Sequence, residues 1–358
     1  MTPRALINLD ALLENYRFLQ RRAAPASVGA AVKANAYGLG MIPIARALRQ
    51  AGCQTFFTAS VEEALTLREA IQDATIIALH GIDPVHEEEA LAAQITPMIN
   101  SLPALKAWTA LARKKEMRLE AMIHLDTGMN RLGLSPQEQD HLADHPELLE
   151  SLAIKAWVSH FACADDVTSP MTPQQLEKMK AILRRLPPAP VSLCNSSGIF
   201  WGTDYLFDLV RPGLALYGGN PTPHLPNPMR PVLELRAPIV QVRPVDAVMT
   251  VGYGASYTVP RQGRIATLAM GYADGYHRAL SNKGSVMIGQ HLAPIVGRIS
   301  MDLITIDVTA VPEAATPIGA EATLIGPHRT IDAIAAEAHT IAYEIMTSLG
   351  PRVAREYQ

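Results

Sequence analysis

The residue with the most unusual chemical setting in this sequence is Lys33. It ends a short run of small and β-branched residues, 27–32, which predicts a buried strand. Because burying an ammonium group is costly, a lysine there tends to lose its proton, and an uncharged amine can act as a nucleophile. The alternative is a lysine whose stem lies along the strand end while its ammonium reaches water. Residues 31–40 alone leave these two interpretations even.

Further polar segments follow other predicted strands. They are 124–133 (HLDTGMNRLG), 159–161 (SHF), 194–198 (CNSSG) and 210–218 (VRPGLALYG). Each alone has an ordinary structural explanation, such as a capping serine, a buried histidine or a surface arginine. Their joint placement at strand ends favours one shared site, because barrel enzymes carry their chemistry at the C-terminal ends of the strands.

The elements that must position these segments alternate between strand and helix. Eight apolar runs predict strands, at 27–33, 55–59, 75–80, 96–99, 118–125, 153–160, 190–194 and 208–217. Helical spacing separates most of them. Eight such units favour an α/β fold closed into a (β/α)8 TIM-type barrel. An open doubly wound sheet is the alternative, but it usually carries a GxGxxG turn after its first strand, and no such turn follows here.

Both ends of the chain lie outside this alternation. Residues 5–23 predict a strand followed by an amphipathic helix with Asp10 as its N-cap. Five prolines between 221 and 231 predict a stiff linker. After the linker, short strands are predicted at 233–242, 264–270, 285–288, 303–308 and 322–325, with helical spacing at 331–349. We therefore predict a barrel over 1–225 and a smaller, mainly antiparallel β domain over 226–358.

Composition and charge exclude several classes of function. The chain has 358 residues and a formal net charge of −3, without the basic excess that binding to nucleic acid or a membrane surface needs. No apolar run reaches membrane-spanning length, and no signal-peptide pattern opens the sequence. The three widely spaced cysteines indicate a reducing compartment. We expect a cytoplasmic protein that binds neither nucleic acid nor membrane.

The sequence offers only weak candidates for a metal site. Asp274, Asp302 and Asp307 stand among apolar strand residues, where turn aspartates are expected. His141 and His145 could share a helix face, but no third ligand stands near them. We predict no bound metal.

Taken together, the motifs resemble one known family. AVKANAYGLG, HLDTGMNRLG, SHFACADD, CNSSG and VRPGLALYG, followed by VGYGASY, MGYADGY and GRISMD, resemble in this order the alanine racemases, which are fold-type III pyridoxal-phosphate enzymes. The resemblance covers nearly the whole chain. It implies an isomerase with pyridoxal 5'-phosphate as cofactor that interconverts L-alanine and D-alanine. The D-alanine would supply peptidoglycan synthesis or be used catabolically.

The resemblance implies two catalytic bases. Lys33 matches the lysine that holds the cofactor covalently and then acts as a base on one face of the substrate's Cα. Tyr253 matches a tyrosine on the opposite face, contributed by the other subunit of a homodimer with shared active sites. Racemisation needs this arrangement, because one base removes a proton and the other delivers one from behind.

The resemblance also implies a set of cofactor contacts. Arg211 matches an arginine placed against the pyridine nitrogen, where it disfavours ring protonation. His160 matches a histidine that hydrogen-bonds this arginine. The other expected cofactor contacts are Tyr37, Asn195, Ser196, Gly213 and Leu214.

Four further residues match positions that meet the substrate. Arg131 matches an arginine near the substrate carboxylate, and Met301 matches a residue whose backbone amide, from the partner subunit, meets the same group. Asp165 and Tyr272 match positions along the substrate's path into the site.

The sequence departs from the family pattern in two places. Many members carry a carbamylated lysine that positions the arginine matching Arg131, whereas this chain has His124 in that slot. A chloride ion or another side chain could hold Arg131 instead. Near the end of the chain, residues 350–355 (GPRVAR) lack the phosphate-contacting tyrosine that some members carry just before an RVPR-like run. We expect one phosphate contact to be lost there.

Two other functions fit part of the sequence. The first is a racemase for serine or a broader set of amino acids, since the size of the substrate pocket cannot be read from the motifs. The second is a non-enzymatic pyridoxal-phosphate carrier with the same cofactor lysine. Such a carrier is a single barrel, so the predicted second domain argues against it.

Overall fold

The computed structural model describes residues 2–246 and 248–358. Its strands are, in chain order, β1 (Arg4–Ile7), β2 (Ser27–Val28), β3 (Ala30–Ala31), β4 (Thr55–Thr58), β5 (Thr75–Ala78), β6 (Ile95–Ile99), β7 (Leu119–His124), β8 (Leu152–Val158), β9 (Val191–Ser192), β10 (Leu209–Val210), β11 (Leu233–Val245), β12 (Thr250–Val251), β13 (Tyr257–Thr258), β14 (Gly263–Leu268), β15 (Ser285–Ile288), β16 (His291–Pro294), β17 (Ile304–Asp307), β18 (Glu321–Ile325) and β19 (Ala354–Tyr357). The right-handed α-helices are Leu9–Ala23, Met41–Gln50, Val61–Ala70, Glu87–Ala92, Leu102–Lys114, Pro136–Asp144, Met171–Leu183, Ile331–Glu337 and Ala342–Thr347.

The first half of the chain forms a closed parallel barrel. Strands β3 to β9 pair in sequence order, and β10 pairs in parallel with β2. On the other side of β10, the backbone amides of Asp208 and Arg211 donate to the carbonyls of Val191 and Cys194 (3.0 and 2.9 Å). These bonds close the circle, so the predicted (β/α)8 fold is confirmed.

Apolar side chains fill the inside of the barrel. Alternate residues of a strand face the same side, so strands β3 to β8 and β10 each send one or two apolar side chains inward. These side chains form one buried cluster: Ala31, Phe57, Ile77, Met98, Met122, Ala156, Val158 and Leu209. The barrel is therefore a packed core, and its polar chemistry is confined to the strand ends and loops.

Several of the predicted barrel strands are shorter than expected, among them the first and the last. The run predicted at 208–217 is a strand only at Leu209–Val210, and its second half is the 3₁₀ turn Leu214–Tyr217. The run predicted at 27–33 ends as a strand at Ala31, before Lys33.

The second domain is a mainly antiparallel sheet, as predicted, with the order β16-β15-β18-β11-β1-β19 and with β14 and β17 joined through β11. Its unexpected members come from the ends of the chain. Strand β1 pairs antiparallel with β11 and parallel with β19. The range 1–225 predicted for the barrel therefore contains a strand that pairs in the other sheet.

The first helix begins earlier than predicted. The side chain of Asn8 accepts a hydrogen bond from the backbone amide of Ala11 (2.8 Å), so Asn8 is the N-cap. Asp10 lies in the first turn instead, where its negative charge favours the positive end of the helix dipole.

Arg355 and Tyr357 of β19 join the second domain to the segment after Lys33. The guanidinium of Arg355 donates to the carbonyl of Gly38 through Nε and Nη2 (3.1 and 3.0 Å) and to the carbonyl of Leu349 (2.8 Å). The hydroxyl of Tyr357 donates to the carbonyl of Leu39 (3.0 Å). The second domain thus helps to hold the loop that carries Lys33.

The described residues contain no helix long and apolar enough to cross a membrane. Among the same residues, no group of three or more histidine, cysteine, aspartate or glutamate side chains is arranged to hold a metal ion.

We expect Arg355→Ala to lower the free energy of unfolding by about 2–4 kcal/mol, because several partly buried carbonyls lose a charged donor. Urea unfolding followed by circular dichroism at fixed protein concentration measures this. Arg184→Ala is the control, since Arg184 is exposed. Equal unfolding midpoints for the two variants would contradict the role given to Arg355.

Candidate active site

Lys33 opens a left-handed turn. The four residues after it, Ala34 to Tyr37, have φ angles of +51°, +53°, +52° and +55°. A left-handed conformation costs roughly 1–2 kcal/mol for each non-glycine residue, so the surrounding structure must hold this turn. Lys33 therefore does not end a strand, as the sequence predicted, but begins a strained turn just beyond the strand end.

Lys33 itself is half-buried. Burial lowers the pKa of its ammonium group, Arg131 and Arg211 lower it further, and the carboxylate of Glu63 acts against them. Of the two interpretations that the sequence left open, this setting favours the lysine with a lowered pKa.

Arg211 lies at the centre of the site and is buried, with 8% of its surface exposed. Its Nη1 donates to the hydroxyl of Ser192 (2.5 Å), and its Nη2 donates to the carbonyl of Ser159 (2.6 Å). Nη2 also lies 3.2 Å from Nδ1 of His160, the contact that the family resemblance implies. Because a guanidinium can only donate, Nδ1 of His160 is the acceptor.

Five basic side chains gather at the C-terminal ends of strands: Lys33, His124, Arg131, His160 and Arg211. Burial lowers the pKa of the lysine and both histidines, and the charges of the two arginines lower it further. Burial also lowers the pKa of Arg211 to about 10. None of the ion pairs within the described residues involves Arg211. A buried cation without a carboxylate partner is costly, so the site is suited to an anionic ligand.

A cradle of backbone amides lies beside this charge. The hydroxyl of Ser196 accepts hydrogen bonds from the amides of Gly213 and Ala215 (3.1 Å each). Leu214 begins the 3₁₀ turn, so its amide has no partner within that turn. A free amide at the start of a turn suits a phosphate group. Tyr37 closes the cradle, since a Cβ added to Gly213 would lie 2.1 Å from the tyrosine hydroxyl oxygen.

Asn195 precedes this cradle and is engaged within its own loop. Its side-chain oxygen accepts from the amide of Gly198 (3.0 Å), and its side-chain nitrogen donates to the carbonyl of Phe161 (3.5 Å). These bonds fix the loop after β9. The cofactor contact expected of Asn195 stays a prediction.

His124 has a defined tautomer. The side-chain nitrogen of Asn100 donates to the carbonyls of Leu79 and Met98 (2.8 and 3.2 Å), so its oxygen faces Nδ1 of His124 at 2.9 Å. Nδ1 therefore carries the hydrogen. Burial, with the charge of Arg211, lowers the pKa of His124 to about 4, so the ring is neutral at pH 7 and presents an unprotonated Nε2.

The loop that carries Arg131 is held by the side chain of Asp126. One carboxylate oxygen of Asp126 accepts from the backbone amides of Gly128, Met129 and Asn130 (2.9, 2.9 and 3.2 Å). The Arg131 side chain is exposed and makes no hydrogen bond within the described residues. The loop is therefore fixed, whereas the guanidinium is available to a ligand.

Gln175, which no sequence motif indicated, connects two of the site loops. Its side-chain nitrogen donates to the carbonyl of His160 (2.8 Å) and to the hydroxyl of Thr127 (3.2 Å), and its oxygen accepts from the amide of Ala162 (2.9 Å). Gln175 is buried on the inner face of Met171–Leu183. A polar residue on the apolar face of a predicted helix was the available signal.

Tyr343 is a further residue of the site that the sequence did not indicate. Its ring centroid lies 5.6 Å from that of Tyr37, which in turn lies 4.9 Å from that of Tyr217. Burial, with the charge of Asp165, raises the pKa of Tyr343 to about 12. A phenol thus stands beside Tyr37 although the run at 350–355 has none. It comes from the helix Ala342–Thr347, further upstream than the position we expected.

The expected second-domain residues lie at the surface of the single chain. Tyr253, Met301 and Tyr272 are 72%, 54% and 42% exposed. The amides of Tyr272 and Ala273 donate to the carbonyls of Ser300 and Met301 (3.0 Å each), so these two motif loops support each other. In the part of the chain that the structure describes, no hydrogen bond joins Tyr253, Tyr272 or Met301 to the polar groups of the barrel.

The fold and the site define a two-domain α/β-barrel protein whose barrel carries a lysine beside a cationic, amide-lined site for an anion. Comparison with known families identifies it further. The family model "Alanine racemase, N-terminal domain" matches residues 7–221, and "Alanine racemase, C-terminal domain" matches residues 232–357. The chain belongs to the alanine racemase family, which confirms the resemblance seen in the motifs.

Individual relatives agree along the whole chain. The alanine racemase of Brucella abortus (strain 2308) is 44% identical over 365 residues, covering 98% of this chain and 92% of that protein. The catabolic alanine racemase of Agrobacterium fabrum is 44% identical over 352 residues, covering 98% and 91%. The crystal structure of Bartonella henselae alanine racemase with covalently bound pyridoxal phosphate superimposes with a TM-score of 0.95 at 42% identity, over 100% of both chains.

We expect Gly213→Ala to lower the free energy of unfolding by about 1–3 kcal/mol, because the new methyl group overlaps Tyr37. Tyr37→Phe removes the hydroxyl oxygen that the methyl would meet at 2.1 Å. Gly213→Ala should therefore cost less in the Tyr37→Phe background than in the unaltered protein. A double-mutant cycle from urea unfolding measures the difference, and additive costs would show that Tyr37 does not close the cradle.

Proposed function

We propose that this chain is a pyridoxal-phosphate-dependent racemase that interconverts L-alanine and D-alanine by a two-base mechanism. The observation that carries the proposal is the pairing, at one end of the barrel, of a half-buried lysine of lowered pKa with a buried arginine that forms no ion pair with any described residue. Membership of the family supplies the reaction, and the site supplies groups for each part of the cofactor.

The residues present fit pyridoxal phosphate. Lys33 would hold it covalently, and its phosphate would lie in the cradle of Ser196, Gly213 and Leu214, with Tyr37 at the side. The buried guanidinium of Arg211 would meet the pyridine nitrogen, because Nη1 and Nη2 are already engaged and Nε has no partner among the described residues. Tyr343, which packs on Tyr37, is a further candidate for the phosphate end.

When bound, pyridoxal phosphate withdraws electrons from the amino acid joined to it and so acidifies the Cα–H bond. Arg211 limits this effect. An arginine donates a hydrogen bond but is a poor proton source, so it leaves the ring nitrogen unprotonated and keeps more negative charge at Cα. The acceptor nitrogen of His160 and the carbonyl of Ser159 hold Arg211 in that position. Return of the proton to Cα is thereby favoured, as racemisation requires.

Two groups on opposite faces of Cα move the proton. The amine of Lys33 takes or gives it on one face, and its lowered pKa makes the neutral, basic amine available at a lower pH than an ordinary lysine would. The phenol of Tyr253 from a partner subunit acts on the other face. Arg131 and the backbone amide of the partner's Met301 would bind the substrate carboxylate.

Exposure in the second domain supports a homodimer with shared sites. Besides Tyr253, Tyr272 and Met301, the second domain exposes the apolar side chains of Leu303 (43%) and Ile341 (61%). Where exposed apolar side chains lie together, they mark an interaction surface. A partner that covers them would bring Tyr253 to the barrel of the other subunit. The D-alanine formed would serve peptidoglycan synthesis or be consumed catabolically in a cytoplasmic setting.

Racemase activity is tested with the purified protein and added pyridoxal phosphate. We expect L-alanine to lose its optical activity and D-alanine to appear in a coupled assay. Parallel reactions with L-serine and L-lysine measure the breadth of the substrate pocket. No optical change with any of the three amino acids would refute the proposal. Faster turnover of serine than of alanine would show that serine, and not alanine, is the preferred substrate.

We expect Lys33→Ala to abolish covalent cofactor attachment, and Tyr253→Phe to keep the bound cofactor's colour while losing racemisation by about 10²-fold or more. Absorbance spectra and D-alanine formation measure the two effects separately. Tyr257→Phe, which removes a tyrosine hydroxyl from the same motif, is the control.

A mixture of the two inactive variants tests the shared site. A Lys33→Ala subunit paired with a Tyr253→Phe subunit contains one intact site, so an equal mixture should recover about a quarter of the unaltered activity after subunit exchange. No recovery after exchange would place both bases in one chain or remove one of them from the mechanism.

A further inference from the structure

We propose that Glu63 is a positioning residue for Lys33, because its carboxylate caps the left-handed turn that Lys33 opens and ties that turn to the neighbouring strand. This inference rests on the proposed role of Lys33 as the cofactor lysine. Glu63 lies in the helix Val61–Ala70, which follows β4, and no motif drew attention to it.

The carboxylate of Glu63 joins two loops at the same end of the barrel. One oxygen accepts from the backbone amide of Ala34 (2.7 Å), the residue directly after Lys33. The other accepts from the backbone amide of Ala59 (2.8 Å), the residue directly after β4. A single side chain thus joins the turn that follows β3 to the loop that follows β4.

The turn needs such a partner at this end. The first amides of a helical turn have no acceptor within the turn, whichever hand the turn has. At the far end, Arg355 holds the carbonyl of Gly38, and the amide of Gly38 bonds back to the carbonyl of Ala34 (2.8 Å). Glu63 supplies the missing acceptor at the near end, one residue from the reactive amine.

A second glutamate shows that this use of the carboxylate differs from ordinary helix capping. Ser135 and Glu138 form a complete capping box, in which one oxygen of Glu138 accepts from the amide of Ser135 itself (2.8 Å) and the other accepts from the amide of Leu102 (2.9 Å). Ser60 and Glu63 have the same spacing, and Ser60 caps the helix. Glu63, however, reaches past the amide of Ser60 to those of Ala59 and Ala34.

Glutamine cannot replace glutamate at this position. Two backbone donors face the two oxygens of Glu63, and an amide side chain has one acceptor and one donor, so one backbone amide would meet an N–H group. The charge also matters, because among the groups acting on Lys33 the carboxylate of Glu63 opposes the two arginines.

The test compares three glutamine variants of the holoenzyme. Glu63→Gln is the test variant. Glu62→Gln removes a neighbouring charge in the same helix turn, and Glu138→Gln removes a capping carboxylate away from Lys33. Retention of pyridoxal phosphate on dilution, hydrogen exchange of the peptide that contains Ala34, and the unfolding midpoint are measured for each.

We expect Glu63→Gln to weaken cofactor retention by about tenfold or more and to speed exchange at Ala34 by a similar factor, as the loss of a charge-assisted hydrogen bond requires. Glu138→Gln should lower the unfolding midpoint without either change, and Glu62→Gln should match the unaltered protein. If Glu63→Gln does not fold, Glu63→Asp, which keeps the charge but shortens the side chain, is measured in its place and should show the same two effects.

Two outcomes separate this inference from the proposed function. If Glu63→Gln loses stability as Glu138→Gln does but keeps its cofactor and its slow exchange, the positioning role is overturned. If borohydride reduction of the unaltered holoenzyme attaches the cofactor to a lysine other than Lys33, the proposed function fails instead, whatever Glu63 does to the turn.

Discussion

The site depends on a buried guanidinium whose charge no carboxylate of the described residues neutralises. Arg211 is held by two serine oxygens and a neutral histidine, and these partners orient the group but leave its charge uncompensated. The neighbouring basic groups add to the same positive potential and lower one another's affinity for protons. This positive potential suits the end of the barrel to an anion, and the two arginines also lower further the pKa of Lys33, which burial lowers most.

The loops at this end are fixed by side chains that accept from backbone amides. Asp126 holds the loop that carries Arg131, Ser196 holds the loop of Gly213, and Glu63 holds the turn of Lys33. Gln175 joins two of these loops from a helix behind them. Loops held in this way on a packed barrel can present an exposed side chain such as that of Arg131 to a ligand, because the backbone that carries it is fixed by hydrogen bonds.

The sequence predicted the features that depend on local periodicity and missed those that depend on distant pairing. The barrel and the antiparallel second domain followed from alternating apolar patterns. Strand β1 was assigned to the barrel because its partners lie far away in sequence. The left-handed turn at Ala34 to Tyr37 has no glycine and so no local signature. No sequence motif indicates Tyr343 or Gln175 either, because Tyr37, which packs on Tyr343, and the loops that Gln175 joins belong to other elements.

The hydrogen bonds between Arg355 and the loop that carries Lys33 have a consequence for the order of folding during synthesis. Arg355 and Gly38 are 317 residues apart in sequence, whereas the barrel's own strand pairings join neighbouring units. A growing chain can assemble much of the barrel early, since contacts of short sequence separation form first. Arg355 can bond to the loop only after most of the chain has been synthesised. Until then, the loop that carries Lys33 lacks the hydrogen bonds that Arg355 and Tyr357 make to it in the folded protein.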